Sequence, residues 1–336
     1  MAAGQVQLLE TGSTLLYPLF NLWVPAYSQA HPDIQITTQG TGSGTGIAEA
    51  LSGVAQIGAS DAYMSNPMIK AHPDMLNIPL AISSQMVNYN IPGLNNEQLK
   101  LSGPALAGIY DGSVRYWDDQ AIAKDNPGVK LPHEAIVPVH RTDGSGDTFI
   151  FTQYLSDSTP SWANKTGYGT TVSWPAVQGG MGAEGNPGMV NALEGVPYSI
   201  AYVGISFKSA VDSDHLGTAL LQNKAGDFVS PDPADVSAAV EETASKTPPD
   251  ERTSLIFAPG PKSYPIINYE YAIVKADQPS PQQATALKDF LSWTIDPSGG
   301  GSPKYLQAVN FAPLPPAIAK LSKQQIDKIH AAPGAG

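Results

Sequence analysis

The sequence predicts an α/β protein of two domains with largely parallel sheets. Three observations predict it. Strand and helix signals alternate through much of the chain. Its 336 residues exceed what one hydrophobic core usually serves. And one plan recurs three times: an apolar strand, a Gly/Ser/Thr turn, then an amphipathic helix. The strands are residues 6–10, 34–38 and 136–141. Their turns are Thr11-Gly12-Ser13-Thr14, Gln39-Gly40-Thr41-Gly42-Ser43-Gly44 and Thr142-Asp143-Gly144-Ser145-Gly146-Asp147. A helix start leaves about four backbone N–H groups unpaired, and with the helix dipole these form a ready anion site. Glycine lets the backbone come close to a ligand, and Ser/Thr add hydroxyl donors. Three such turns, one beside an arginine, point to a small oxyanion.

The remaining elements follow in order. Residues 47–51 read as a helix and 54–59 as a strand ending in Ser60-Asp61. Residues 76–90 form a long apolar run closed by Ile91-Pro92-Gly93. Residues 104–110 read as a helix started by Pro104, and Trp117-Asp118-Asp119 as the start of another. Residues 135–140 read as a strand and 148–155 as a helix. The stretch 167–197 reads as loop, with Gly179-Gly180-Met181-Gly182 at its centre. Residues 198–205 and 266–275 read as strands, and 230–247 as a proline-started helix. Residues 281–295 form a helix whose Ala284, Leu287, Phe290 and Leu291 share one face.

Composition excludes several functions. A formal net charge of −12 argues against a nucleic-acid groove. A local site of backbone dipoles can still hold an anion on an acidic protein. Charged residues make up 14%, below the usual ~25%, and the 32 glycines and 30 prolines imply many turns. The chain has no cysteine, so zinc–thiolate sites, a cysteine nucleophile and disulfides are excluded. No run approaches the ~20 apolar residues of a membrane span. The first five residues show no basic or apolar leader pattern, so either the protein is cytoplasmic or a signal has been removed.

The motifs narrow the chemistry. Gly40-Thr41-Gly42-Ser43-Gly44-Thr45-Gly46 suggests a dinucleotide loop, but the register puts Thr45 where glycine is needed, and no Gly-Lys-Ser/Thr exists. Ser43 and Ser145 lack the G-x-S-x-G frame, because Thr41 and Asp143 stand two residues before them. A hydrolase also needs a base. His140 is nearest, but strand alternation sends it to the face opposite Arg141, and a solvated or core histidine is expected. The other histidines show no metal-ligand spacing, and no cofactor is expected. Arg141 supplies a permanent planar cation suited to an oxyanion, or to an ion pair with Asp143 that orients it. Asp61 and Asp147 read as helix N-caps or as acceptors of a ligand hydrogen bond. A carboxylate beside an anion is repulsive unless the anion shares a proton. Hydrogen phosphate carries one near neutral pH and sulfate does not, so such carboxylates would select phosphate.

At this level of detail the chain resembles a known family. Thr11-Gly12-Ser13-Thr14-Leu15, Gly40-Thr41-Gly42-Ser43-Gly44, Gly58-Ala59-Ser60-Asp61 and Arg141-Thr142-Asp143-Gly144-Ser145-Gly146-Asp147-Thr148-Phe149 are similar to the motifs of the PstS phosphate-binding proteins, the receptors of phosphate ABC transporters. Ile109-Tyr110-Asp111-Gly112, Tyr116-Trp117-Asp118-Asp119, Asn126-Pro127-Gly128 and Leu131-Pro132 add support. The likeness runs from about Leu8 to about Leu321 and is closest to the family's mycobacterial lipoproteins. It implies a two-lobed type II periplasmic-binding-protein fold with two hinge crossover strands, near 86–90 and 266–271. Lobe I would be 1–88 plus 267–336, and lobe II 89–266. It implies phosphate held in an interlobe cleft by Ser13, Thr14, Leu15, Ser43 and Asp61 from one lobe. Arg141, Ser145, Gly146 and Asp147 would serve from the other. Asp147 replaces the threonine of enterobacterial relatives and agrees with the mycobacterial type. The cysteine pair of the mycobacterial relative, near 192–197 here, is absent. The resemblance further implies a monomeric, periplasmic or surface-anchored receptor that serves a membrane ABC permease, with no catalytic residue. The competing reading is a phosphatase or phosphotransferase using a turn serine, against which the missing base and metal ligands count.

Overall fold

The computed structural model describes residues 5–334; residues 1–4, where the leader reading falls, and 335–336, at the Ala-Pro-Gly tail, lie outside the described residues. Contacts divide the chain into two units. Unit 1 holds the chain up to Ser83, the segment Ala244–Ser254 and the chain from Tyr269 onward. Unit 2 holds Ser84–Thr243 and Leu255–Asn268. The sequence gives no sign that 244–254 returns to unit 1.

Unit 1 opens with β1 (Val6–Gly12), α1 (Tyr17–Ala30), β2 (Ile34–Gly40), α2 (Ser43–Ser52), β3 (Ile57–Ser60), α3 (Asn66–Ala71) and the first part of β4 (Met75–Asn90). β1 pairs in parallel with β2 and with β3, so Gly12 lies level with Gly40 on one side and Ala59 on the other. β3 pairs antiparallel with the strand Ile267–Lys275. The sheet is therefore mixed, not purely parallel. Helix α1 buries Leu19, Phe20, Trp23 and Tyr27, a stripe at helical spacing. That stripe meets the helix Pro281–Ile295: the Tyr27 ring packs edge-on against Phe290, with centroids 4.9 Å apart. Trp23 Nε1 donates to Gly300 O at 2.9 Å, which satisfies its one polar atom.

In unit 2 the strand Val137–Arg141 lies between two parallel partners, Met181–Ala183 and Ser199–Gly204. Ser199–Gly204 pairs antiparallel with the later part of β4, Gln85 opposite Gly204. Phe151 stacks on Tyr202 with centroids 4.5 Å apart, and Tyr110 packs edge-on against Phe151. The Tyr110 hydroxyl donates to Val139 O at 3.0 Å.

Several sequence-based boundaries need correction. Helix α2 begins at Ser43, not at 47, because Gly44 and Gly46 weaken the helical signal. Gly46 is there for space: a Cβ on it would lie 2.7 Å from both Ala59 O and Thr11 O. The strand expected at 54–59 is Ile57–Ser60, and the helix expected at 148–155 runs over Gly146–Ser158. The loop expected at 167–197 contains the strand Met181–Ala183 and the helix Gly185–Gly195. Gly185, Pro187 and Gly188, which read as turn residues, form the first turn of that helix.

Glu10 lies on β1 and is fully buried. It accepts from Thr38 Oγ1, while its Oε1 has no partner among the described residues. Burial pushes its carboxyl up to about 8, against the Thr38 hydroxyl and the Gln39 N–H. The folded state thus holds a proton that the unfolded chain releases near its ordinary value. The associated stability is complete below that value and is lost as pH rises through 8. Glu10→Gln should remove this slope. Its stability advantage over the parent protein should grow with pH by about 1.4 kcal/mol per unit between pH 5 and 8, as read by urea unfolding at several pH values.

Candidate functional site

Unit 1 gathers Ser13, Ser43 and Asp61 at the ends of β1 and β3 and the start of α2. Gly12 makes this possible. Its φ is +141°, and a Cβ there would lie 2.0 Å from Ala59 O. The chain turns so tightly that Ser13 N donates to Ala59 O at 2.9 Å. Ser13 Oγ accepts from Leu15 N at 3.1 Å and Leu16 N at 3.0 Å, and donates to Asp61 Oδ1. Ser43 Oγ donates to Asp61 Oδ2 at 3.4 Å and accepts Asp61 N at 3.2 Å. Thr14 and Leu15 lie in the same turn, and all five residues are buried. Thr41 N and Gly42 N both donate to Gly12 O, which closes the loop before α2. Asp61 follows β3 in a bend and caps no helix.

Unit 2 gathers Arg141, Ser145, Gly146 and Asp147. Arg141 ends its strand with its side chain only 1% exposed. Its Nε donates to Asp143 Oδ1 at 2.7 Å and its Nη2 to Asp143 Oδ2, a two-pronged pair. Its Nη1 donates to Asp147 Oδ2 at 2.9 Å. Burial works against the charge on Arg141, but the bond to Asp143 and the charges of Asp147 and Asp143 outweigh it and raise its pKa. Burial also raises Asp143, yet the Arg141 bond and charge pull its carboxyl below the usual range. Asp147 is pushed up by burial, against the opposing pull of Arg141, Gln85 and Asn186. Ser145 is the N-cap of the helix Gly146–Ser158, its Oγ accepting Thr148 N at 3.1 Å. Asp147 is therefore in the first helical turn and is not the cap. A carboxylate there is favoured by the helix dipole.

Sequence reading missed Gln85, Asn186 and Tyr202. Gln85 Nε2 donates to Asp147 Oδ1 and Asp147 O, both at 3.0 Å, and Asn186 Nδ2 donates to Asp147 Oδ2 at 2.6 Å. The Tyr202 hydroxyl accepts Arg141 N at 2.9 Å. Gln85 stands beside other polar residues of its run, Ser83, Ser84 and Asn88, so no local signal singled it out. His140 is half-buried and stacks on Trp174, with centroids 4.9 Å apart. Its Nδ1 lies 3.1 Å from Arg141 O, and it activates no serine. Among the described residues no group of three or more acidic, His or Cys side chains could hold a metal ion.

The mixed sheets, with donor sets where strands run into helix starts, define the protein class. A family model described as a PBP superfamily domain matches residues 2–298, and the fold is the α/β periplasmic-binding-protein fold. A phosphate-binding protein PstS of Methanocaldococcus jannaschii is 36% identical over 95% of this chain and 85% of its own length. The chain belongs to the PstS phosphate-binding protein family. A PstS 3 of Mycobacterium leprae is 32% identical over 93% of this chain and 84% of its own length. The mycobacterial affinity expected from the motifs is thereby corrected, since the archaeal relative is the more similar of the two. A crystal structure of a phosphate-binding protein from Stenotrophomonas maltophilia shares the fold. It has a TM-score of 0.74 at 17% identity, over 95% of this chain and 93% of that one.

Ser145→Ala removes the cap bond from the helix that carries Gly146 and Asp147. We expect a loss of about 0.5–2 kcal/mol of stability, read from denaturant midpoints.

Proposed function

We propose that this chain binds inorganic phosphate and delivers it to an ABC importer. The observation that carries the reading is the placing of buried carboxylates among helix-start donors. Asp61 lies with Ser13 and Ser43, and Asp147 lies with Arg141 and Ser145. N–H groups, hydroxyls and a guanidinium favour an oxyanion, while a carboxylate tolerates one only if it carries a proton. Hydrogen phosphate meets both demands. The names of the PstS relatives support the same ligand.

In this reading Ser13, Thr14 and Leu15 donate from the first turn, and Ser43 donates its hydroxyl. Asp61 accepts the phosphate proton. Arg141 neutralises charge, and Ser145 and Gly146 donate from the helix start. Asp147 offers its N–H. The family is one of transport receptors, not enzymes; of the turn serines, Ser13 and Ser43 donate to Asp61, and Ser145 accepts the Thr148 N–H. The partner is a membrane permease, and the receptor works as a monomer in the periplasm or at the cell surface. No helix among the described residues is long and apolar enough to cross a membrane.

Two experiments test this reading. Arg141→Ala should weaken phosphate binding by roughly 2–5 kcal/mol, the cost of losing one partner of a desolvated charge contact. Calorimetry on a variant shown to be folded reads this, and unchanged affinity would contradict the assignment. Asp61→Asn should raise sulfate affinity relative to phosphate, because an amide can donate where the carboxylate could only accept. Competition titrations of both proteins decide it. An unchanged ratio would pass the role of discriminator to Asp147.

A further inference from the structure

Gln85 is the second residue of unit 2, fully buried in β4. Its backbone is held on both sides. The N–H donates to Ile266 O at 3.0 Å, and the carbonyl accepts the Tyr264 hydroxyl at 2.7 Å. Its Nε2 meets two acceptors of one residue, Asp147 Oδ1 and Asp147 O. Only the NH2 end of the amide fits there, so the side chain cannot be turned over. On the other carboxylate oxygen, Asn186 is equally fixed. Its Oδ1 accepts Gly204 N at 2.8 Å, which aims its Nδ2 at Asp147 Oδ2. Arg141 Nη1 completes the set. Asp147 thus faces three side-chain donors, none of which can become an acceptor.

We infer that Gln85, seconded by Asn186, is a positioning residue for phosphate binding: it holds Asp147 as a fixed, acceptor-only carboxylate and through it aims Arg141. The inference rests on the reading of Arg141 and Asp147 as phosphate-site residues. The charged and titratable groups facing Asp147 are few. Arg141 comes from the strand Val137–Arg141, and Asp143 from the turn that follows. Tyr202 comes from Ser199–Gly204, its phenol pushed up by burial and so neutral. From β4 and from the helix Gly185–Gly195 the facing groups are the neutral amides of Gln85 and Asn186. Among the described residues Gln85 is therefore the one side-chain donor to Asp147 Oδ1, and its loss leaves that oxygen buried without this hydrogen bond.

Two variants test the role. Gln85→Glu keeps the shape. At low pH its new carboxyl retains a proton and can donate it to Asp147. As pH rises that carboxyl ionises and sets a like charge against Asp147. The ratio of phosphate dissociation constants, Gln85→Glu over the parent, should be within about threefold at pH 5 and exceed roughly tenfold by pH 8. Taking the ratio at each pH cancels the titration of phosphate itself. A ratio that does not change with pH would overturn the inference, since a merely structural defect has no reason to titrate. The second measurement needs no ligand. Carboxyl carbon NMR of Asp147 should show its titration moved to higher pH in Gln85→Leu, or in Gln85→Met if the leucine variant does not fold. An unmoved titration would overturn it equally. Should the parent bind no phosphate while the Asp147 titration still moves, the phosphate reading fails, and with it the role in binding, while the hold of Gln85 on Asp147 stands.

Discussion

A guanidinium cannot be buried alone. Removing a charge from water costs several kcal/mol even after relaxation, and only well-placed partners offset it. Arg141 meets this with two carboxylates, Asp143 on its fork and Asp147 on its remaining nitrogen. The demand then passes outward. Asp143 also takes the N–H of Gly185, the first residue of the helix Gly185–Gly195. Asp147 takes the amides of Gln85 in β4 and Asn186 in that helix. The backbone N–H of Arg141 is taken by Tyr202, whose hydroxyl also meets Thr148 at 2.8 Å. One buried charge therefore fixes a strand end, a turn, two helix starts and a residue of β4. That is why the Thr142–Asp147 turn, rich in glycine and serine, can have one shape.

Unit 1 holds Asp61 in another way. Asp61 is held by two hydroxyls and by its own N–H on Ser43. These contacts exist because Gly12 and Gly46 let β1, α2 and β3 approach more closely than any side chain would allow. Glu10, one residue before Thr11 on β1, shows the contrast. It is as deeply buried, but Thr38 and the Gln39 N–H are too few donors to hold its charge, and its carboxyl stays protonated up to about 8. Burial with too few fixed donors is what keeps this acid protonated at neutral pH.

The same distinction explains what could be read from the chain. Arg141 and Asp143 are two residues apart within one turn, so their pairing was legible. So was the opposite facing of His140, because strand alternation is local. The helix Pro281–Ile295 was legible because its buried Ala284, Leu287, Phe290 and Leu291 recur at helical spacing, and the strand Ile267–Lys275 because it is a short, mostly apolar run. Asn186 was not, since it lies among Gly185, Pro187 and Gly188, which locally spell a turn. Helical hydrogen bonding there is enforced by packing against Ser199–Gly204 and by the Asn186 bond to Gly204 N. Gln85 was hidden for another reason. Its partner is 62 residues away, and nothing local distinguishes a polar residue with a distant partner from a solvated one.

The acidic balance of the chain is no obstacle to an anion site built this way. Surface charges act through water and salt, and beyond about 8 Å at physiological ionic strength they are largely screened. Buried donors act at hydrogen-bond distance in a medium that screens little. A formal net charge of −12 therefore bears on the rate of encounter, while in the proposed site the bound state would be decided by Arg141, the helix-start N–H groups and the hydroxyls. The internal balance matters more. In unit 2 two carboxylates already stand against one guanidinium, so at the proposed site the charge of Arg141 would be shared between them and the anion. An anion held there would depend on donors fixed in advance and would have to tolerate a carboxylate neighbour. A proton on the ligand satisfies that last condition, and an oxyanion without one leaves two acceptors facing each other at the full cost of desolvation.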